Sequence, residues 1–245
     1  MSKKMKPEVI CHIMGSVDGR LLPQRWSAPF GDAAPGEQFS DYAAIGRELS
    51  ADAWMFGKAT TCEMFTERYV AESARPTQSG RVHKGHRDSQ RLFITVDPEA
   101  DILYTSDRLR GDNILTVLGT NASADYLSFL EKTGISYIVL DDPTDPAAAM
   151  TVIAEDFGIK RISLQGGGII NGAMLASGLL DELSLVIYPG IDGNSAAPSI
   201  FEFIGSEDDL PASGQTLELI SSDVRKHGIV WLRYKIHRGA NFPRQ

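Results

Sequence analysis

The chain has 245 residues, 42% apolar and 23% charged, an ordinary balance for a globular domain with a substantial core. Its net charge of −8 argues against broad binding to nucleic acid or to an anionic membrane. Two cysteines, Cys11 and Cys62, with no CxxC pair exclude a disulfide scaffold and a cysteine-rich metal site. No apolar run reaches the roughly 18–20 residues of a membrane span. The first residues lack the apolar stretch of about 7–15 residues of a signal peptide. A cytoplasmic protein without a metal is expected.

In chain order, short β-branched runs alternate with helical patterns. "VICHIM" (Val9–Met14) reads as a buried strand, followed by a turn-rich segment to Gly36. "EQFSDYAAIGRELS" places Phe39, Tyr42, Ala43, Ile45, Gly46 and Leu49 at helical spacing. "DAWMFG" is a strand, "TTCEMFTERYV" a helix, and "RLFITV" and "NILTVLG" two further strands. "SADYLSFLEKTG" is a capped helix closed by Gly134, "SYIVLD" a strand, and "PAAAMTVIAEDFG" a helix ending on Gly158. "KRISLQ" is the strand before a run of glycines, which a short helix to Gly178 and the strand "ELSLVIYP" follow. "QTLELISSDV" and "GIVWLRYKI" succeed each other without a helix, the pattern of an antiparallel pair.

Strands alternating with helices predict a mostly parallel sheet covered on both faces, with an antiparallel edge from the last two strands. No composition break marks a linker, so one domain is expected. The polar segment Ala71–Arg91 reads as a long structureless loop, functional or solvated. It holds Arg75, Arg81, His83, Lys84, His86, Arg87 and Arg91 against only Glu72 and Asp88. A basic island in an acidic chain suits a substrate phosphate or a cofactor 2′-phosphate, and a solvated loop equally.

The stretch "LQGGGIINGAML" (Leu164–Leu175) sets three glycines between a strand and a helix. Ligands of open parallel sheets bind at the carboxyl ends of strands, and helix starts present free N–H groups to anions. Gly166, Gly167 and Gly168 therefore read as a dinucleotide phosphate cradle, or as a tight turn that needs flexible residues. A second junction repeats the pattern: Gly57 ends a strand, Lys58 adds charge, and Thr60 and Thr61 open a helix. Two such junctions favour a bound dinucleotide. Asp97, just past a strand, would suit an unphosphorylated ribose and leaves NADH open beside NADPH.

Three segments, "MGSVDGRL", "DAWMFGKATTCEMF" and "ISLQGGGIINGAMLASGLLDELSLVIYP", together resemble the dihydrofolate reductase-like superfamily. The likeness is to the reductase domain of the riboflavin-pathway deaminase–reductase, over roughly Val9 to Pro189. The resemblance implies a three-layer α/β fold, with a mostly parallel central sheet, antiparallel C-terminal strands and helices on both faces. It also implies an NADPH-dependent homodimer that reduces 5-amino-6-(5-phosphoribosylamino)uracil or its diaminopyrimidinone counterpart. Carried over, Gly166, Gly167 and Gly168 line the cofactor pyrophosphate with Gln165 beside them. Gly57, Lys58 and Thr60 lie along the same cofactor, and Ser16 and Asp18 near the nicotinamide and substrate. The resemblance places the segment Tyr188–Phe203 where it helps close the active site.

The sequence departs from that pattern at three places. His12 stands where a lysine is common, Gln165 replaces a glutamate, and "TTCEMFTER" replaces D-N-P-x-L. The zinc pattern of the deaminase half is absent. These departures leave open a reductase of another carbonyl, imine or pteridine-like substrate, or a non-catalytic dinucleotide-binding protein. His12, whose ring titrates near 6.5 when free, and Asp18 are the expected proton-handling residues. A core histidine and an Asp-Gly turn are the structural alternatives. Glu63 reads as structural, at the start of a helix. Trp231 and Tyr234 fall on opposite faces of the last strand, and core burial is expected for them ahead of a dimer contact.

Overall fold

Strand and helix boundaries follow the hydrophobic patterning closely in a computed structural model, which describes residues 6–31, 36–71 and 75–239. The elements are β1 (Glu8–Gly15), α1 (Glu37–Glu48), β2 (Ala53–Gly57), α2 (Lys58–Cys62), β3 (Val82–His83), β4 (Leu92–Asp97), β5 (Arg108–Leu109) and β6 (Asp112–Gly119). They continue with α3 (Ala124–Thr133), β7 (Ser136–Leu140), α4 (Pro146–Phe157), β8 (Arg161–Leu164), α5 (Gly168–Ala176), β9 (Glu182–Ile187), β10 (Gln215–Val224) and β11 (Val230–Arg238). Ala51–Ile162 form one compact unit; Glu8–Ser50 with the chain from Ser163 onward form a second.

In the first unit β2, β4, β6 and β7 run parallel in that order. These strands are apolar on both faces, as strands covered on both sides must be. Phe93, Ile114, Tyr126, Leu130 and Tyr137 share one core cluster. The predicted caps are in place. Ser123 accepts the Tyr126 N–H at 3.1 Å and Gly134 ends α3 at φ 84°. Asp145 accepts the Ala147 N–H at 2.8 Å, and Gly158 ends α4 at φ 68°.

Two expectations fail in this unit, for the same reason. The helix read over "TTCEMFTERYV" stops at Cys62. Tertiary pairing overrides the helical pattern: Tyr69 N–H donates to Asp101 O at 2.7 Å, Leu103 N–H donates to Glu67 O, and the Tyr69 ring packs on Tyr126 and Phe129. The segment Ala71–Arg91 is likewise not structureless. It supplies β3, antiparallel to β7, and its backbone bonds to that region through Gly80 N–H to Val139 O and His86 N–H to Gly134 O. Glu72 lies outside the described residues.

In the second unit β1 and β9 are parallel, β11 joins β9 antiparallel, and β10 joins β11 antiparallel at the edge. β8 neighbours β1. Parallel register sets His12 opposite Ser184 and Met14 opposite Val186 on one face, with Cys11 and Ile13 on the other. The first face is covered by α1, whose Ile45 and Leu49 pack with Met14, Val186 and Trp231. This sheet places the ends of β1, β8 and β9 together at the start of α5 and the loop 188–203.

Candidate functional site

The β8–α5 junction explains its glycines from within the second unit. Gly166 has φ 85°, a left-handed conformation that favours glycine, and a Cβ there would meet Ile13 Cδ1 at 2.9 Å. The Gly166–Gly167 peptide is cis. A Cβ on Gly168 would overlap the Ser199 carbonyl, and one on Gly172 the Glu202 carbonyl. The backbone that approaches so closely at these two positions is therefore the chain's own segment 199–203. That segment is held there by Glu202 N–H donating to Gly168 O at 3.0 Å and by Asn171 Nδ2 donating to Ile200 O at 2.8 Å. Gly167 is the residue before the helix, extended at φ −70° and ψ −165°, with no side-chain cap on the first N–H groups. A nine-residue uncharged helix with an uncapped start keeps its capacity for an anion. The junction fits a phosphate group.

His12 lies in the floor behind that junction and is wholly buried. Its Nε2 is 3.3 Å from Tyr42 O, which can only accept, so the proton sits on Nε2. Bare Nδ1 then accepts from Ser184 Oγ at 3.0 Å, and Ser184 Oγ accepts from Trp231 Nε1 at 2.8 Å. The Tyr42 ring stacks on the imidazole at 4.3 Å and 2°. Burial pushes the His12 pKa down to about 4, against the pull of both hydrogen bonds. His12 is thus a neutral core imidazole, the structural alternative for this position, because a closed chain of donors and acceptors leaves it no route to substrate. Tyr42 links it to the junction: its hydroxyl lies 2.6 Å from both His12 O and Gln165 Oε1, and Gln165 Nε2 donates to Ser163 Oγ at 2.7 Å.

Ser16 and Asp18 form a loop anchor beyond β1. Ser16 Oγ donates to Asp18 Oδ1 at 2.6 Å and accepts the Arg20 N–H at 2.9 Å. Asp18 also accepts the N–H groups of Asp192 at 3.1 Å and Gly193 at 2.8 Å. The Ser16 hydrogen bond first, and then these two, hold the Asp18 pKa down to about 2, so it is a carboxylate at neutral pH and no proton donor. Nearby, Arg25 pairs with Asp192 through two bonds of 3.0 and 3.2 Å, and Arg20 donates to Ala197 O at 2.8 Å.

The β2–α2 junction belongs to the first unit. Gly57 is extended at φ −75°, α2 has five residues, and Thr61 Oγ1 donates to Gly57 O at 3.3 Å and lies 3.1 Å from Thr95 Oγ1. Thr60 is half-buried beside it. Lys58 Nζ lies 2.7 Å from Glu99, 2.7 Å from Asp101 and 3.3 Å from Asp97. Burial alone would lower the Lys58 pKa, but these carboxylates raise it. Asp97 is wholly buried, accepting from the Asp101 and Ile102 N–H groups as well, and burial holds its carboxyl above the usual range. Both residues are engaged with groups of the first unit itself. Four residues of the basic loop are paired in the same way: Arg81 with Glu131, Lys84 with Asp156, His86 with Asp107 and Arg91 with Asp112, while Arg87 donates to Phe157 O at 3.3 Å. Such exposed pairs are worth about 0–1 kcal/mol each and direct charge more than they add stability.

The model of the RibD C-terminal domain matches residues 7–231. The chain belongs to that family. It is the reductase branch that the three sequence segments resemble. A pyrimidine reductase-like protein from Corynebacterium diphtheriae shares the fold at TM-score 0.64 and 21% identity, over 95% of this chain and 92% of that one. The riboflavin biosynthesis reductase of Saccharomyces cerevisiae does so at TM-score 0.59 and 13% identity, over 97% and 93%. RibD of Acinetobacter baumannii matches at TM-score 0.56 and 14% identity over 95% of this chain, which spans 58% of that longer protein. The mostly parallel α/β architecture with antiparallel C-terminal strands is the one these proteins share. Among the described residues no helix is long and apolar enough to cross a membrane.

Tyr42, Ser184, Asn171 and Glu202 were missed as site residues. Tyr42 was visible only as an apolar-face helix position. The other three depend on strand register or on a loop folding back, which no local pattern carries.

Proposed function

We propose that the protein is an NADPH-dependent reductase of the riboflavin-pathway type, acting on 5-amino-6-(5-phosphoribosylamino)uracil. The observation that supports this reading is the uncapped start of α5 behind Gly166 and Gly167, at the carboxyl end of a strand, where free N–H groups favour an anion. The cofactor would supply the hydride. The chain's part is to hold the pyrophosphate at the α5 start and to keep the junction rigid through Gln165, Tyr42 and His12. His12 is neutral and enclosed, Asp18 is ionised and Gln165 has no proton to give, so none of the three is assigned as the proton donor.

A second reading is a reductase of an unphosphorylated carbonyl or imine. It is favoured by one observation: Arg20 and Arg25, at the end of β1, are already engaged with Ala197 O and Asp192.

The test is a paired titration of NADPH and NADH by tryptophan fluorescence on wild type and Gly167→Asp. Aspartate accepts the backbone angles at 167 and is a favoured helix cap, so folding should hold while its charge repels phosphate. Tight NADPH binding lost in the variant, with an unchanged melting temperature, is expected. Failure of wild type to bind either cofactor would remove the reductase reading. Turnover of the aminouracil ribosyl phosphate against its dephosphorylated form then separates the two substrates.

A further inference from the structure

Segment 199–203 brings to the start of α5 a charge that the helix itself does not have. The nine residues of α5 include no charged side chain, and in "SIFEF" the acid is Glu202. A Cβ on Gly168 would stand 3.0 Å from Glu202 Cγ and 3.4 Å from Glu202 Cδ. One carbon–carbon bond adds about 1.5 Å, so the carboxyl carbon lies within about 5 Å of Gly168 Cα. Cβ positions on a helix tilt toward its N-terminus, so the carboxyl flanks the turn whose N–H groups are free. The side chain is tied at both ends. Glu202 N–H donates to Gly168 O at 3.0 Å, and Glu202 Oε1 accepts the Ser199 N–H at 3.1 Å. The segment is held in turn by Ile200 N–H, which donates to Gly19 O at 3.1 Å. No cation pairs with Glu202 among the described residues. The carboxylate therefore complements the positive end of the helix without capping its N–H groups.

We propose that Glu202 selects by charge what binds at the α5 start, admitting a phosphodiester such as the bridge of a dinucleotide ahead of a phosphomonoester. This selection rests on the dinucleotide reading of the junction and adds to it the residue that discriminates. A phosphomonoester carries a charge of about −1.5 to −2 near neutral pH. Each phosphorus of a dinucleotide bridge carries a single charge. Coulomb repulsion scales with that charge, and a half-buried carboxylate at this distance is screened far less than an open one. The free N–H groups attract both kinds of ligand, and Glu202 opposes the more highly charged one more strongly. The α5 start then serves the cofactor, and a phosphate on the substrate belongs elsewhere in the protein.

Glu202→Gln removes the charge and keeps an oxygen for the Ser199 N–H, so the fold should hold. NADPH affinity is read by tryptophan fluorescence. Ribose 5-phosphate is the monoester probe, followed by amide NMR shifts at Gly168 and Ile169. At low salt the variant should bind ribose 5-phosphate about tenfold more tightly and NADPH about threefold more tightly, from loss of one nearby repulsion. Both gains should shrink in about 0.5 M salt. Glu207→Gln, at an exposed acid further along the loop, should leave both affinities unchanged. NADPH and monoester affinities that are the same in wild type and Glu202→Gln overturn the selection and leave the dinucleotide reading standing. Equal gains for the two ligands do the same, as does an equal gain in Glu207→Gln, which would be an effect of net charge alone. Weaker NADPH binding in Glu202→Gln would make the carboxylate a support of the junction and also overturn the selection. Failure of both proteins to bind NADPH removes the dinucleotide reading and the selection together.

Discussion

The two strand–glycine–helix junctions look alike in sequence and are built for different ends. At β2–α2 the charge that would meet a phosphate is spent inside the first unit, where Lys58 faces Asp97, Glu99 and Asp101. At β8–α5 the helix is longer and uncharged, and the glycines are demanded by packing: Gly166 by its left-handed backbone, Gly168 and Gly172 by segment 199–203. Asp97 at the end of β4 and Glu99 and Asp101 just after it engage Lys58, so residues about forty positions along the chain decide what its charge meets.

The largest effect that would break or sharpen this contrast is at Gly172. Gly172→Val drives a branched side chain into the Glu202 carbonyl and should cost about 3 kcal/mol, the upper end of overpacking penalties. Gly57→Ala, at an ordinary extended φ of −75°, should stay within about 0.5 kcal/mol. Urea midpoints compare them directly. Equal costs would mean that packing does not distinguish the junctions.

Lys58→Met comes next, at about 2–3 kcal/mol, because it strips the cation from a wholly buried carboxylate; the partly exposed ammonium keeps this near the lower bound for broken buried pairs. The sign with pH is definite. The Asp97 carboxyl is already held high by burial, and without Lys58 it rises further. Folded protein then keeps a proton that the unfolded chain has released, so the variant should regain stability as pH falls through the folded pKa. NADPH affinity should be unaffected. A tenfold loss of affinity at unchanged stability would return Lys58 to the cofactor.

These outcomes bear on what was legible beforehand. The helices α3 and α4 were readable to their caps because Ser123, Gly134, Asp145 and Gly158 act within a few residues. The mostly parallel order followed from alternation of strand and helix. Helix α2 was overread because the pairing of Glu67 and Tyr69 with 101–103 lies more than thirty positions away. The same distance problem governs the site: the glycine run was visible, but Glu202 and Ser199, which explain two of its positions, reach it only through folding of a loop. His12 was recognisable as facing away from Cys11 and Ile13, and its enclosure needed Ser184, Trp231 and Tyr42 from three other elements.

That enclosure has its own consequence in acid. The folded pKa of His12, pushed down to about 4, lies below the value near 6.5 of the unfolded chain. Between these values the unfolded chain binds a proton that the folded protein does not. Stability is therefore full above pH 6.5 and is lost as pH falls toward 4. At pH 5 the loss is about 2 kcal/mol, from 1.36 kcal/mol per unit. His12→Gln should remove it, so the wild-type and variant urea midpoints should converge in acid from their pH 7 difference. Parallel curves would mean that His12 titrates alike in the folded and unfolded chain.

The smallest expected effect is at Asp18, an exposed anchor. Its low pKa means that the stabilisation it gives is present above the ordinary carboxylate value and is lost only as pH falls through about 2. Asp18→Asn keeps one acceptor oxygen but loses the charge that draws the Asp192 and Gly193 N–H groups together. Global stability should hardly move, because the carboxylate is open to water and screened. Hydrogen exchange at the Asp192 and Gly193 amides should quicken, with the remaining amides of the unit unchanged. A turnover lost outright, with those two amides still protected, would instead show Asp18 acting on substrate and make the β1 loop part of the chemistry.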